Sequence, residues 1–422
     1  MMNEIIKERL ALIQSGTVPK GYIKTKCGIY PENWTLTCMG NCIREYREIS
    51  NNIQDIPVYS SSRNGLLPQS EYYDGKEATQ TNIGYKVVPP NYLTYRHMSD
   101  DDVFHFNMNQ TGGNILVSSE YPVFTVSDIA ELGFILPMLN NAPRFKYFCG
   151  MQKLGGTRSR LYFKKLCEYQ FYIPPLAEQK KIAEILEQCD KIISLKQEQL
   201  KEEKQKKQWM VENILTGKVR RGDFSDSWEN TTIGNCSEYL VGYPFFSENF
   251  SDDGIRLIRG SNVKRGKLSW MPALTMYWPK DDKLNQFLLK CGDIVIAMDG
   301  ALVGRSFAMI QSADTPSYLV QRVARIRSEI NNLLVQWIGS EKFVRHIDSR
   351  KTSTAIPHIT IHDILSFPIF IPKSKQEADV IENVLKMQDD LLYMLEEELA
   401  ELKSRKVALM QLLLTGIVRV KP

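Results

Sequence analysis

The chain has 422 residues, 43% of them hydrophobic and 24% charged, with a formal net charge of +4. That balance describes an ordinary globular protein of two or three domains and excludes a disordered or collagen-like chain. No apolar run approaches the roughly 18 residues of a membrane span, and the start, MMNEIIKERL, is too charged for a signal segment, so the expectation is a cytoplasmic chain with no membrane partner.

Residues 3–15 read as a short amphipathic helix ending in Ser15-Gly16, and residues 1–30 as that helix plus a lead-in. Residues 31–172 carry short strand patterns broken by turn residues, as in DIPVYSSSRNGLLP and GGNILVSSEYPVFTV. They read as a first globular unit with a mainly β core. Residues 173–220 read as a long helix, 221–370 as a second unit of the same texture, and 371–422 as a second long helix. In the second unit, NNLLVQWIGSEKFVRHI reads as one helix. Residues 161–175 align with 359–373, and their alternating apolar residues read as a strand that Pro switches into the long helix.

The two long helices are copies of each other. Adding 199 to a number in residues 180–217 lands on its counterpart: Ile182 on Ile381, Leu186 on Leu385, Asp190 on Asp389, and Leu215-Thr216-Gly217 on Leu414-Thr415-Gly416. Neither copy holds an internal Gly or Pro, and a Gly ends each. At 1.5 Å per residue each helix spans about 57 Å and needs a partner for its apolar stripe. Heptad register places Leu186, Ile193, Leu200 and Ile214 on one seam, and Leu385, Leu392 and Leu399, with Leu395 and Leu402, on the other. Lys196, Glu203 and Lys207 fall on the first seam. The units open alike too, Trp34-x5-Gly40-Asn41-Cys42 matching Trp228-x5-Gly234-Asn235-Cys236. Between their ends they barely resemble each other. The Ser-Gly end of the first helix resembles the Leu-Thr-Gly ends, so the duplication is cyclic and the termini are expected to lie close together. The fold class is mixed α+β: two pseudo-two-fold-related units joined by two long antiparallel coiled-coil helices.

Enzyme motifs are missing. Pro89-Pro90-Asn91-Tyr92 has the wrong order for a base-flipping methyltransferase loop, and Gly260-x5-Gly266-Lys267 the wrong spacing for a P-loop. The histidines make no metal pattern, and Cys38 and Cys42 find no second pair, so no catalytic residue, cofactor or metal is expected. Loops rich in basic and polar residues stand out instead. Unit one offers Ser61, Ser62, Arg63, Asn64, Arg96, Thr157, Arg158 and Arg160. Unit two offers Arg259, Asn262, Lys264, Arg265, Arg305, Arg322, Lys351, Thr352 and Ser353. Arg and Lys neutralise phosphates, while Arg and Asn also read base edges.

Two unlike units, each followed by a matching long helix, resemble the specificity subunit of type I restriction–modification systems. The motifs that carry the resemblance are Ile173-Pro174-Pro175-Leu176-Ala177-Glu178-Gln179, Leu215-Thr216-Gly217-Lys218, Gly292-Asp293-Ile294 and Gln321-Arg322-Val323. The second helix departs from the pattern, with Ser374-Lys375-Gln376-Glu377 in place of Leu-Ala-Glu-Gln. The resemblance implies target-recognition domains that each read half of a split site on double-stranded DNA, and paired helices that act as a ruler. It implies methylation subunits, two per chain, carrying S-adenosylmethionine and modifying adenine N6, and ATP-driven restriction subunits. Alternatives are a coiled-coil scaffold that never touches DNA, or a self-contained methyltransferase or nuclease.

Overall fold

The computed structural model describes residues 4–50, 55–72, 84–153, 158–220 and 222–421. The chain divides into two units, Met1–Lys196 with Glu398–Pro422, and Gln197–Glu397. The long helices, Leu176–Ile214 and Lys375–Leu414, are each shared between them.

In the first unit the opening strand Thr35–Cys38 lies antiparallel to the closing strand Gln170–Ile173. Between them the described residues form two larger sheets. One orders Phe106–Met108, Leu93–Tyr95, Val123–Val126 and Ile43–Tyr46. The other orders Ile115–Val117, Tyr85–Val88 and Ile49–Ser50. Helices Leu132–Asn141 and Pro143–Gly150 cover the larger sheet, with Phe106, Phe124, Phe134 and Phe145 in the core. This core also takes Ile182 and Leu186 from the start of the first long helix, and Met410 and Leu413 from the end of the second. Burying each such side chain contributes about 2 kcal/mol.

The second unit repeats the plan. Trp228–Thr232 pairs antiparallel with Pro368–Pro372. A four-stranded sheet orders Glu238–Val241, Val323–Arg327, Ile294–Ala297 and Phe307–Met309. A three-stranded one orders Tyr277–Trp278, Ile255–Ile258 and Ser317–Leu319, its last pair parallel. The core borrows Met210 and Ile214 from one long helix, and Ile381 and Leu385 from the other.

Two expectations are corrected. The segment read as one helix over 331–347 is two, Asn331–Ile338 and Glu341–Asp348. Gly339-Ser340 breaks it, because the Ser340 hydroxyl caps the second helix by accepting from the Phe343 N–H at 3.2 Å. The apolar stretch before each closing strand also begins as a helix, Phe163–Cys167 and Ile361–Leu365, before extending. In the second unit a Thr360–Asp363 capping box starts it.

The helices run antiparallel within each unit. Lys196 Nζ meets Glu398 at 3.0 Å, and Lys406 pairs with Asp190, in the first unit. Lys204 meets Glu396 at 2.6 Å, and Lys207 pairs with Asp389, in the second. Gln388 Nε2 donates to Glu203 at 2.7 Å, which holds that carboxyl below its usual range. Each polar residue on the first seam, Lys196, Glu203 and Lys207, thus has a partner across it. Such solvent-screened pairs each contribute little to stability. Leu186, Ile214, Leu385, Leu395 and Leu399 are buried, while Ile193, Leu200, Leu392 and Leu402 are half-buried.

Candidate nucleic-acid interface

Each unit is footed by the same clamp. In the first, Glu178 is 2% exposed and takes Arg419 through both oxygens, at 2.8 and 2.9 Å. The Trp34 indole N–H donates to the same carboxylate at 3.3 Å. In the second, Glu377 is 1% exposed, takes Arg220 through both oxygens at 2.7 Å, and accepts from the Trp228 indole at 3.2 Å. The offset of 199 carries Glu178 to Glu377 and Arg220 to Arg419. The departure noted at the start of the second helix therefore spares its glutamate. Each arginine follows the Leu-Thr-Gly end of one helix and grips the first turn of the other. Gly217 and Gly416 adopt the left-handed φ of +68° and +72° that ends a helix, and each rests against its unit's tryptophan.

The repeated Gly-Asn-Cys also has one explanation in both units. A Cβ on Gly40 would stand 3.1 Å from the Cys167 Cβ, and one on Gly234 3.1 Å from the Leu365 Cβ. The termini meet in the first unit: Arg9 donates to the Ile417 carbonyl at 2.6 Å and Tyr22 to the Gly416 carbonyl at 2.7 Å.

Five of the nominated polar residues line one cleft of about 280 Å³ in the first unit: Ser61, Ser62, Arg63, Asn64 and Arg96. The first four sit on the hairpin Tyr59–Ser62 and Gly65–Pro68. Asn107 Nδ2 seats that hairpin, donating to Ser61 Oγ at 2.8 Å and the Ser62 carbonyl at 2.9 Å. Ser61 is buried and spends its hydroxyl here. The facing wall is an acidic loop absent from the sequence reading. Asp101 meets Arg63 at 2.8 Å and Asp100 meets Arg158 at 2.6 Å. Asp102 accepts from Ser159. Three consecutive aspartates, with two nominated basic stretches to meet them, were the signal available in the sequence. Arg96 and Arg160 have no ion pair among the described residues. Thr157 lies outside the described residues.

In the second unit, four distant segments converge at one end of the four-stranded sheet. Met298 N–H donates to the Arg322 carbonyl at 2.8 Å, Gly300 N–H to the Pro357 carbonyl at 3.0 Å, and a Cβ on Gly260 would meet Asp299 Oδ1 at 3.2 Å. Arg322, Lys264 and Ser353 are exposed there or on the neighbouring hairpin, and Arg322 takes a positive φ of 74°. Several nominated residues are committed inward, which corrects the expectation that they face a ligand. Asn262 is 0% exposed, and its amide donates to the Ser269 and Leu274 carbonyls, both at 3.1 Å. Arg259 donates to the Leu274 carbonyl at 2.7 Å, and burial lowers its pKa. Thr352 bonds His358 Nδ1 at 3.0 Å. Arg265, by contrast, stays exposed beside Glu341 at 3.1 Å. A larger open cleft of about 590 Å³, lined by Trp337, Lys342, Arg345 and His346 among others, holds none of the nominated residues.

Arg305 and Lys351 share Asp348, at 2.8 and 2.7 Å. Hydrogen bonds from Arg305, then Lys351, depress the Asp348 carboxyl to about 2 from 3.8. A depressed carboxyl stabilises the fold above the unfolded value and loses that stabilisation as pH falls toward the folded one. Stability of this loop should therefore decline between pH 3.8 and about 2. In Asp348→Asn that step should be missing from an acid titration followed by amide exchange at 299–305. An unchanged acid profile in the variant would show that the triad does not couple to folding.

A family model described as the type I restriction modification DNA specificity domain matches residues 55–204. Three curated relatives are type I specificity subunits as well. The MjaVIII subunit of Methanocaldococcus jannaschii is 29% identical over 59% of this chain and 62% of its own length. The EcoAI subunit of Escherichia coli is 29% identical over 48% and 34%. The putative MjaX subunit of M. jannaschii is 22% identical over 95% and 97%.

Residues 55–204 thus match a type I restriction modification DNA specificity domain, and the chain is similar to type I specificity subunits.

The matched stretches span less than two thirds of the MjaVIII and EcoAI subunits. Two solved structures share the fold. A type I restriction–modification S subunit from M. genitalium superimposes with a TM-score of 0.55 at 12% identity, covering 92% of this chain and 97% of that one. A chain from a study of complex assembly and conformational transition in a type I system gives 0.53 at 13% identity, covering 92% and 99%. No helix among the described residues is long and apolar enough to cross a membrane, and no group of three or more His, Cys, Asp or Glu among them could hold a metal.

Proposed function

We propose that this chain is a type I specificity subunit that reads double-stranded DNA in the cytoplasm and leaves catalysis to its partners. Residues 31–172 read one half of a two-part site and 221–370 the other. The helices at 173–220 and 371–422 set the gap, with 1–30 completing the cyclic scaffold. Two methylation subunits dock along the helices and methylate adenine N6 with S-adenosylmethionine, and restriction subunits cleave with ATP. Flipped-out adenines need DNA held firmly by a partner, which suits recognition domains beside separate methylation subunits. Helices of about 57 Å can bridge half-sites roughly a helical turn, 34–36 Å, apart.

The observation that carries this reading is the clamp of Glu178, Arg419 and Trp34, matched by Glu377, Arg220 and Trp228. One foot is built twice, beneath loops of unlike sequence. That is what a modular reader requires: interchangeable mounting, distinct surfaces. The contact residues proposed are those left outward-facing: Arg63, Asn64, Arg96, Arg158 and Arg160 in one unit, and Lys264, Arg265, Arg322 and Ser353 in the other.

Exchange of residues 225–370 for the matching segment of another specificity subunit should change one half of the methylated motif and leave the other half alone. Methylome sequencing of cells that co-express the chimaera with the methylation subunit gives the answer. A change in both halves, or in neither, rejects modular reading. Methyl transfer by the purified chain alone, or no mobility shift of DNA by the assembled complex, replaces it with the enzyme or scaffold reading respectively.

A further inference from the structure

The geometry points to Asp101 as a positioning residue that aims Arg63 at a guanine in the half-site of the first unit. This rests on the DNA reading proposed above and adds which side chain discriminates and which base it selects.

Arg63 stands at the turn of the hairpin whose residues line the cleft of about 280 Å³. The hairpin is seated rather than loose, because Asn107 holds both Ser61 and Ser62, and the Asn64 N–H donates to Ser62 Oγ at 3.0 Å. Asp101 is organised with equal care from the opposite wall. One carboxylate oxygen accepts from Ser99 Oγ at 2.8 Å and from the Val103 N–H at 3.4 Å. Its other oxygen then meets Arg63 Nη2 at 2.8 Å. The loop thus orients the carboxylate, and the carboxylate orients the guanidinium.

An exposed ion pair does little for folding, so stability does not account for this chain of contacts. Its effect is on the arginine. A free arginine sweeps the surface and accepts any phosphate. An arginine pinned at one corner keeps its remaining N–H groups in a fixed fork, and that fork matches the O6 and N7 acceptors of guanine in the major groove. Pre-ordering also lowers the entropy lost on binding. Asp100 adds no free negative charge to repel DNA, because it is occupied by Arg158 at 2.6 Å.

The test uses the full chain assembled with its methylation subunit, after methylome sequencing of the wild type has defined the two half-sites. Arg63→Ala should reduce the preference for guanine at one position of one half-site by about tenfold or more, with the other half-site untouched. Asp101→Asn should relax the same position while leaving the salt dependence of DNA binding unchanged. Arg63→Lys should fail to restore the preference, because an ammonium is a point charge without a fork. Asp128→Asn removes the carboxylate of another exposed pair in this unit, with Arg44 at 2.9 Å, and should leave the motif unchanged. The inference is overturned by a first-unit half-site without a G·C pair, or by an unaltered motif in Arg63→Ala. It is equally overturned if Asp101→Asn tightens binding to all sequences alike, which would make Asp101 a competitor for the cation. A wild-type complex that binds no DNA rejects the DNA reading itself, before any variant is compared.

Discussion

Glu178→Ala should destabilise the first unit by about 3 kcal/mol, the cost of stranding a charge whose partner was buried. Glu178 is 2% exposed and satisfies three donors at once, two N–H groups of Arg419 and the indole of Trp34. Without it, the guanidinium keeps only Asn33 Oδ1 at 2.8 Å, and a buried indole N–H loses its acceptor. The same hydrogen bonds hold the Arg419 pKa above its ordinary value. For a unit of this size the loss corresponds to about 6–10 °C in Tm. The pairwise origin can be isolated with a double-mutant cycle. Glu178→Ala with Arg419→Ala should recover part of the loss, because neither charge is then left without a partner. Additive losses in calorimetry would show that the two residues do not act as a clamp. The consequence reaches function, since Arg419 is what fastens the end of one long helix to the start of the other within this unit.

Gly242→Ala should cost the second unit about 3 kcal/mol or more. A Cβ at this position would sit 2.2 Å from both the carbonyl carbon and oxygen of Val320, and 2.8 Å from the Gln321 nitrogen. Those are backbone atoms that cannot rotate aside. Nor can the strands separate cheaply: Gly242 N–H donates to the Val323 carbonyl at 3.0 Å, Tyr243 N–H to Leu319 at 3.0 Å, and Gln321 N–H to Tyr243 at 2.8 Å. Three hydrogen bonds therefore hold the approach that only glycine permits. The next residues, Gln321 and Arg322, form one of the turns proposed to meet DNA. The variant should accordingly show faster amide exchange across 317–327 and weaker recognition of one half-site. Gly113→Ala is the control, as nothing lies within 4 Å of its Cβ position, and it should stay within about 0.5 kcal/mol of wild type. Equal stability of the two variants would remove steric approach as the reason for glycine at 242.

The arrangement of the chain was legible because its signals are periodic or repeated. An apolar pattern without Gly or Pro over residues 180–213 and 379–412 can only be a long helix, and both helices are present. The repeat offset of 199 continues past Leu-Thr-Gly through Arg220 and Arg419, where it marks the two equivalent feet. The helices Leu132–Asn141 and Pro143–Gly150 were not legible, because Pro137 lies inside the first and locally disfavours a helix. Packing against the larger sheet overrides that local preference.

The candidate contacts divide the same way. Residue type nominated Arg63, Asn262, Arg305 and Lys351 alike, because a sequence records chemistry but not exposure. Folding then buried Asn262 as a turn-forming amide, tied Arg305 and Lys351 to Asp348, and left Arg63 at a cleft with a carboxylate to aim it. By itself, then, the order of residues determined two unlike units on duplicated long helices, since helical period and repetition are local properties of the chain. Only the tertiary structure decided which polar side chains face outward and which acids hold them, because those partners lie tens of residues apart and meet only when the sheets and helices pack.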